Sequence, residues 1–233
     1  GRLTSDTLWT IDDSPYLITD TIEVPINVTL TIEAGSTVKL KDSGIGFLVH
    51  GEVIAEGTIE APITFILNRN YLFRGDGATS SMFVKLNHTY LEGGVGISYA
   101  SGRNRGGFQL SNSIITNMGV NQSANQGIIQ IENPEGEILI SKNTFYESRG
   151  IRLVGGTSVS IVNNKFASLP EGTEDWWIKI VSGSAKIEHN SFLGDGIAVG
   201  ILGNGSQIYN FDISNNYWGT ADPKQIADRI LDY

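Results

Sequence analysis

The chain has 233 residues, no cysteine, a formal net charge of -9 and 18% charged residues. The missing thiols exclude disulfides, thiolate metal sites and cysteine nucleophiles. The acidic balance argues against a non-specific nucleic-acid binder, which needs a basic face. No run approaches the roughly 18 consecutive apolar residues of a membrane-spanning helix, so no membrane insertion is expected. Glycine (28), asparagine (18) and isoleucine (29) are abundant for this length, and that excess needs a structural cause.

Taken in chain order, residues 28–40, 46–58 and 61–65 alternate apolar and polar side chains between glycine turns. Period-two alternation of this kind is a strand with one face in a core. No Asn marks the corners here, and residues 1–80 are expected to form an N-terminal strand cap and wider opening coils. Over residues 81–220 a phrase recurs, as Leu110-Ser-Asn-Ser-Ile-Ile115, Ile140-Ser-Lys-Asn-Thr-Phe145, Ile161-Val-Asn-Asn-Lys-Phe166, Ile187-Glu-His-Asn-Ser-Phe192 and Ile213-Ser-Asn-Asn-Tyr-Trp218. Each copy opens on an alternating strand such as Ile138-x-Ile140. An Asn follows the last inward residue by three positions, at Asn143, Asn164, Asn190 and Asn216, and an aromatic side chain begins the next strand, at Phe145, Phe166, Phe192 and Trp218. A third strand comes after it, over residues 150–153, 177–180 and 196–199. Three short strands per turn of roughly two dozen residues describe a parallel β-solenoid.

Stacking coils in this way turns the recurring side chains into ladders. An Asn at a fixed corner can hydrogen-bond the same corner of the next coil, satisfying turn groups that would otherwise be buried and unpaired. It also tolerates the left-handed backbone expected there. At the end of the chain, Asp222-Pro223 reads as an N-cap with Pro at the first helical position. Residues 221–233 are then expected to form a capping helix with Ile226, Ile230 and Leu231 on its apolar face.

The opening phrase VTLTIEAGSTVKL…VHGEVIAEGTIEAPITF and the closing phrase ISNNYWGTADPKQIADRILDY resemble those of right-handed parallel β-helix repeat proteins. That group includes pectate lyase-like folds and carbohydrate-binding and sugar-hydrolase repeat domains of bacterial surface or secreted proteins. The resemblance spans nearly the whole chain. It implies an all-β fold: a single-stranded right-handed parallel β-helix with three short strands per coil and a C-terminal capping helix, forming one elongated domain over residues 1–233. It does not imply an activity, because such repeats serve many functions. The Asn-Thr-Asp, Gly-His-Gly and Arg-Ile-Lys combination of polygalacturonase-type hydrolases is missing, as are the Trp-x-Asp-His and Arg-x-Pro-x-x-Arg phrases of pectate lyases.

Candidate functional residues cluster on the third strand of each coil. Alternation turns Ile151, Leu153, Ile178 and Ile180 inward, so Arg152 and Lys179 point outward in consecutive coils, with Gln130 expected in the coil before and Ala198 in the coil after. Trp176 and Trp177, with Glu174 and Asp175, begin the Lys179 strand, and Arg149 begins the Arg152 strand. Aromatic faces flanked by charged and amide groups suit a sugar-binding surface. Arg152 or Lys179 could also serve as base for a polysaccharide lyase acting on an acidic glycan, with Asp175 nearby, since elimination beside a uronate needs a positioned base and a charge neutraliser.

His50, His88 and His189 lack metal-ligand spacing and read as turn residues. The sequence implies no cofactor, and no acidic motif indicates a calcium site. The leading expectation is a non-catalytic carbohydrate-binding or adhesion module of a larger extracellular or cell-surface protein. Its partners would be a polysaccharide or cell-surface glycan and the other domains of that polypeptide. The lyase and a ligand-free structural spacer are the alternatives.

Overall fold

The computed structural model describes residues 1–41, 44–75, 81–99, 106–119, 127–156, 158–171, 176–202 and 211–232. Within them the chain winds as a right-handed parallel β-helix. The first sheet holds Thr7–Trp9, Thr29–Ile32, Glu52–Glu56, Phe83–Asn87, Phe108–Ser111, Ile138–Ser141, Val159–Val162, Ala185–Glu188 and Phe211–Asp212. The second holds Tyr16–Ile18, Thr37–Leu40, Ile63–Ile66, Thr89–Glu92, Ile114–Thr116, Thr144–Tyr146, Lys165–Ser168 and Ser191–Phe192. The third holds Ile22–Val24, Phe47–Val49, Tyr71–Arg74, Gly96–Tyr99, Ile129–Glu132, Ile151–Val154, Trp176–Ile180, Ile197–Ile201 and Ile230–Asp232. Each strand pairs in parallel with its counterpart one coil away, so the opening coils share the plan of the later ones.

Alternation decides what the interior contains. On the second sheet the inward file runs Tyr16, Val38, Phe65, Leu91, Ile115, Phe145, Phe166 and Phe192. From Phe145 onward the rings stack face to face: Phe145–Phe166 at 4.8 Å, Phe166–Phe192 at 4.9 Å and Phe192–Trp218 at 5.3 Å, with interplanar angles of 18°, 3° and 12°. These separations follow the strand spacing of about 4.8 Å, so the sheet itself holds the rings in contact. One apolar cluster reaches from Ile18 to Trp218.

The corner between the first and second sheets carries a continuous polar ladder. The Asn143 amide N–H donates to Asn164 Oδ1 (3.0 Å), that of Asn164 to Asn190 Oδ1 (2.9 Å) and that of Asn190 to Asn216 Oδ1 (2.8 Å). Each Nδ2 donates back to a carbonyl of the preceding coil, at Leu110, Ile140, Ile161 and Ile187. The file extends two coils further than the Asn pattern: the Ser113 N–H donates to Asn143 Oδ1, and the Thr89 N–H donates to Ser113 Oγ. The left-handed residue is not the ladder Asn but the one before it, with φ of 47° at His88, 50° at Asn112, 57° at Lys142, 58° at Asn163, 56° at His189 and 57° at Asn215. His88 and His189 thus occupy turn positions.

The two ends are closed differently. At the N-terminal end Trp9 and Tyr16 stack at 4.5 Å and Leu3 packs on the core. At the C-terminal end the helix is a single turn, Pro223–Ala227, with Asp222 Oδ1 accepting the Lys224 N–H at 2.9 Å and no buried residue. It does not run on to residue 233. Ile230 and Leu231 belong instead to a strand, pairing with Val199 and Gly200. An apolar triplet at 226, 230 and 231 satisfies helical and strand periods alike, and the open edge of Ile197–Ile201 supplies hydrogen bonds that only a strand can meet.

Candidate functional site

Register on the third sheet lines up one outward row: Leu48, Arg74, Ser98, Gln130, Arg152, Lys179 and Gly200. Adjacent members lie about 4.8 Å apart, the strand spacing. The row therefore offers Arg, Ser, Gln, Arg and Lys in consecutive coils, a basic and amide-bearing stripe on an acidic chain.

Side-chain geometry separates the candidates. Arg152 Nη1 donates to Glu132 Oε1 at 2.7 Å, with side chains 25% and 34% exposed. The pair holds the guanidinium in one orientation and leaves part of its fork toward solvent. Gln130 is half-buried beside Arg152, and its Nε2 is itself buried, with no hydrogen-bond partner among the described residues. Lys179 is buried, its ammonium 5.4 Å from the centre of the half-buried Trp176 ring. That ring also covers the backbone at Gly200, where a Cβ would lie 1.5 Å from Trp176 Cζ3. Only glycine admits the indole there.

Several expectations need correction. Trp177 is fully buried, tilted against Phe166 at 5.4 Å, and presents no face to a ligand. Arg149 is buried at the corner, its stem against Gly119, and is not part of the outward row. Gly200, not Ala198, is the partner of Lys179; Ala198 is buried. Glu174 and Asp175 lie outside the described residues. Arg74 and Ser98 extend the row, and sequence reasoning missed them. Alternation in Tyr71–Arg74 points to Arg74, but a register shift between Gly96 and Ser98 breaks the simple count that would align the two coils.

Among the described residues no three His, Asp or Glu side chains converge as they would to hold a metal, and no helix is long and apolar enough to cross a membrane. What the arrangement can do chemically is donate hydrogen bonds from the partly exposed Arg74, Ser98 and Arg152 and offer the half-buried Trp176 ring at one end, while Lys179 and the Gln130 Nε2 are buried. The fold defines the chain as a parallel β-helix carrying such a row. Compared with protein-family models, curated proteins and solved structures, the chain matched none.

Proposed function

We propose that the chain is a non-catalytic carbohydrate-binding or adhesion module of a larger surface or secreted protein, of the pectate lyase-like kind, and that it holds a polysaccharide or cell-surface glycan along the outer face of the third sheet. The observation that carries this reading is the in-register row of the third sheet, in which the partly exposed Ser98 and Arg152 lie on one line with the half-buried Trp176 at its end and Gln130 and Lys179 fill the places between. Sugars are bound by fixed planar donors beside an aromatic surface, and the Arg152–Glu132 pair supplies pre-organisation that saves ordering cost on binding. Binding is favoured over elimination because the two basic groups are already engaged: Arg152 is paired with Glu132, and Lys179 is buried under an indole.

The test is a glycan array followed by titration of any hit. Arg152→Ala and Trp176→Ala should each weaken the hit about tenfold, the loss of one charge-assisted hydrogen bond or one ring contact. Absence of any hit, or affinity unmoved by both substitutions, overturns the reading. Growth of the ultraviolet absorbance of unsaturated uronate on mixing with anionic polysaccharides would replace it with a lyase.

A further inference from the structure

A cleft of about 710 Å³ opens one corner away from this row, between the second and third sheets. One wall is Ser168, Leu169 and Pro170; the other, from the next coil, is Leu193, Asp195 and Ile197. Ile197 pairs directly with Trp176, so the cleft and the indole share a strand boundary. The volume falls within the roughly 300–1,000 Å³ of small-molecule sites. We propose that this cleft binds a neutral pyranose residue of the glycan whose remaining length lies on the third sheet. The proposal rests on the glycan-binding reading and deepens it.

The chemistry of the lining selects that ligand class. Leu169, Pro170, Leu193 and Ile197 are aliphatic, matching the C–H face of a sugar ring. Asp195 is exposed, and its carboxylate can accept from two neighbouring hydroxyls at once. The Ser168 hydroxyl oxygen accepts the Glu147 N–H at 3.0 Å, which leaves its hydrogen to donate. Charge decides between neutral and acidic sugars. The nearby Arg229 guanidinium is spent on the carbonyls of Phe192 (3.0 Å), Gly194, Gly196 (3.3 Å) and Trp218. Arg229 keeps its positive charge and interacts with Asp195, so the lining offers no free cation to a uronate or sulfate, and its charged side chain, the exposed Asp195, serves as an acceptor for hydroxyls. The cleft thus lacks the free basic group that the Arg152 row presents, so the two together would read a glycan with unlike residues along its length.

The probes are methyl gluco-, galacto- and mannopyranoside at millimolar concentration, read by amide chemical-shift changes at Gly194, Gly196 and Ile197. Asp195→Ala and Leu193→Trp are the variants; both side chains are exposed (Leu193 45%), and thermal unfolding checks that each variant is folded. At least one glycoside should shift these amides, with affinity about tenfold weaker in Asp195→Ala and no response in Leu193→Trp. Methyl glucuronide should bind more weakly than methyl glucoside. No shift with any of the three, or unchanged affinity in both variants, overturns the cleft proposal. If a glycan-array hit is lost in Arg152→Ala while the cleft amides stay silent, the cleft fails and the third-sheet reading stands. If the cleft responds and the hit ignores Arg152 and Trp176, the third-sheet row fails and the cleft stands as a site in its own right.

Discussion

The ladder position at residue 164 illustrates how one side chain serves two coils. Asn164 Oδ1 accepts from the amide and the side chain of Asn143, while its Nδ2 reaches Ile140 O and Asn190 Oδ1. Removing it strands a buried N–H and a buried carbonyl, each costing about 1–3 kcal/mol when left unpaired. Asn164→Ala is therefore expected to lower unfolding free energy by about 2–4 kcal/mol in a urea titration. Asn164→Ser should lose less, because Ser113 already fills the same position with a hydroxyl acceptor two coils earlier. Equal losses for the two variants would show that the amide donor, not the acceptor, is what matters. Phe166 gives a second residue-scale prediction: it stacks on both Phe145 and Phe192, and Phe166→Ala should cost about 3–5 kcal/mol through lost contacts and a cavity.

A strand of the third sheet is positioned by the corner before it, which explains what could and could not be read from the amino acids. The Asn and Phe files were legible because identical side chains recur at a constant offset from the first strand. The Thr89 and Ser113 rungs were not, since a hydroxyl replaces the amide there without changing the geometry. Arg152 and Lys179 were legible as neighbours. Corners of unequal length precede the third strands, however, so counting placed Ala198 where Gly200 lies and set Trp177 on a surface. The contact between Trp176 and Gly200 follows from this register and can be tested as an element. Gly200→Ala should displace the indole, shift tryptophan fluorescence and cost about 1–3 kcal/mol from overpacking. Adding Trp176→Ala should recover part of that loss, because the two sites share one contact. A double variant no more stable than Gly200→Ala alone would mean that the strain lies in the backbone.

At the scale of the molecule the three sheets join each coil to the coils on either side of it, and in such a stack stability is a sum of coil and interface terms. The last coil depends on Arg229, whose guanidinium ties the Phe192, Gly194, Gly196 and Trp218 carbonyls to the returning strand. Burial holds this group below its ordinary pKa, opposed by Asp195. Arg229→Met should speed amide exchange over Ile197–Ile201 and Ser191–Phe192 while leaving Phe108–Ser111 unchanged. Uniform acceleration would instead indicate a single cooperative unit. The direction of the inter-coil hydrogen bonds adds a mechanical consequence. They run along the long axis, so tension applied between the two ends pulls directly on them rather than across them. Such a rod would peel one turn at a time, each rupture releasing the slack of one coil, which differs in length from coil to coil. A β-helix set between a surface and a glycan under flow would act as a yielding tether that gives way by increments before it breaks.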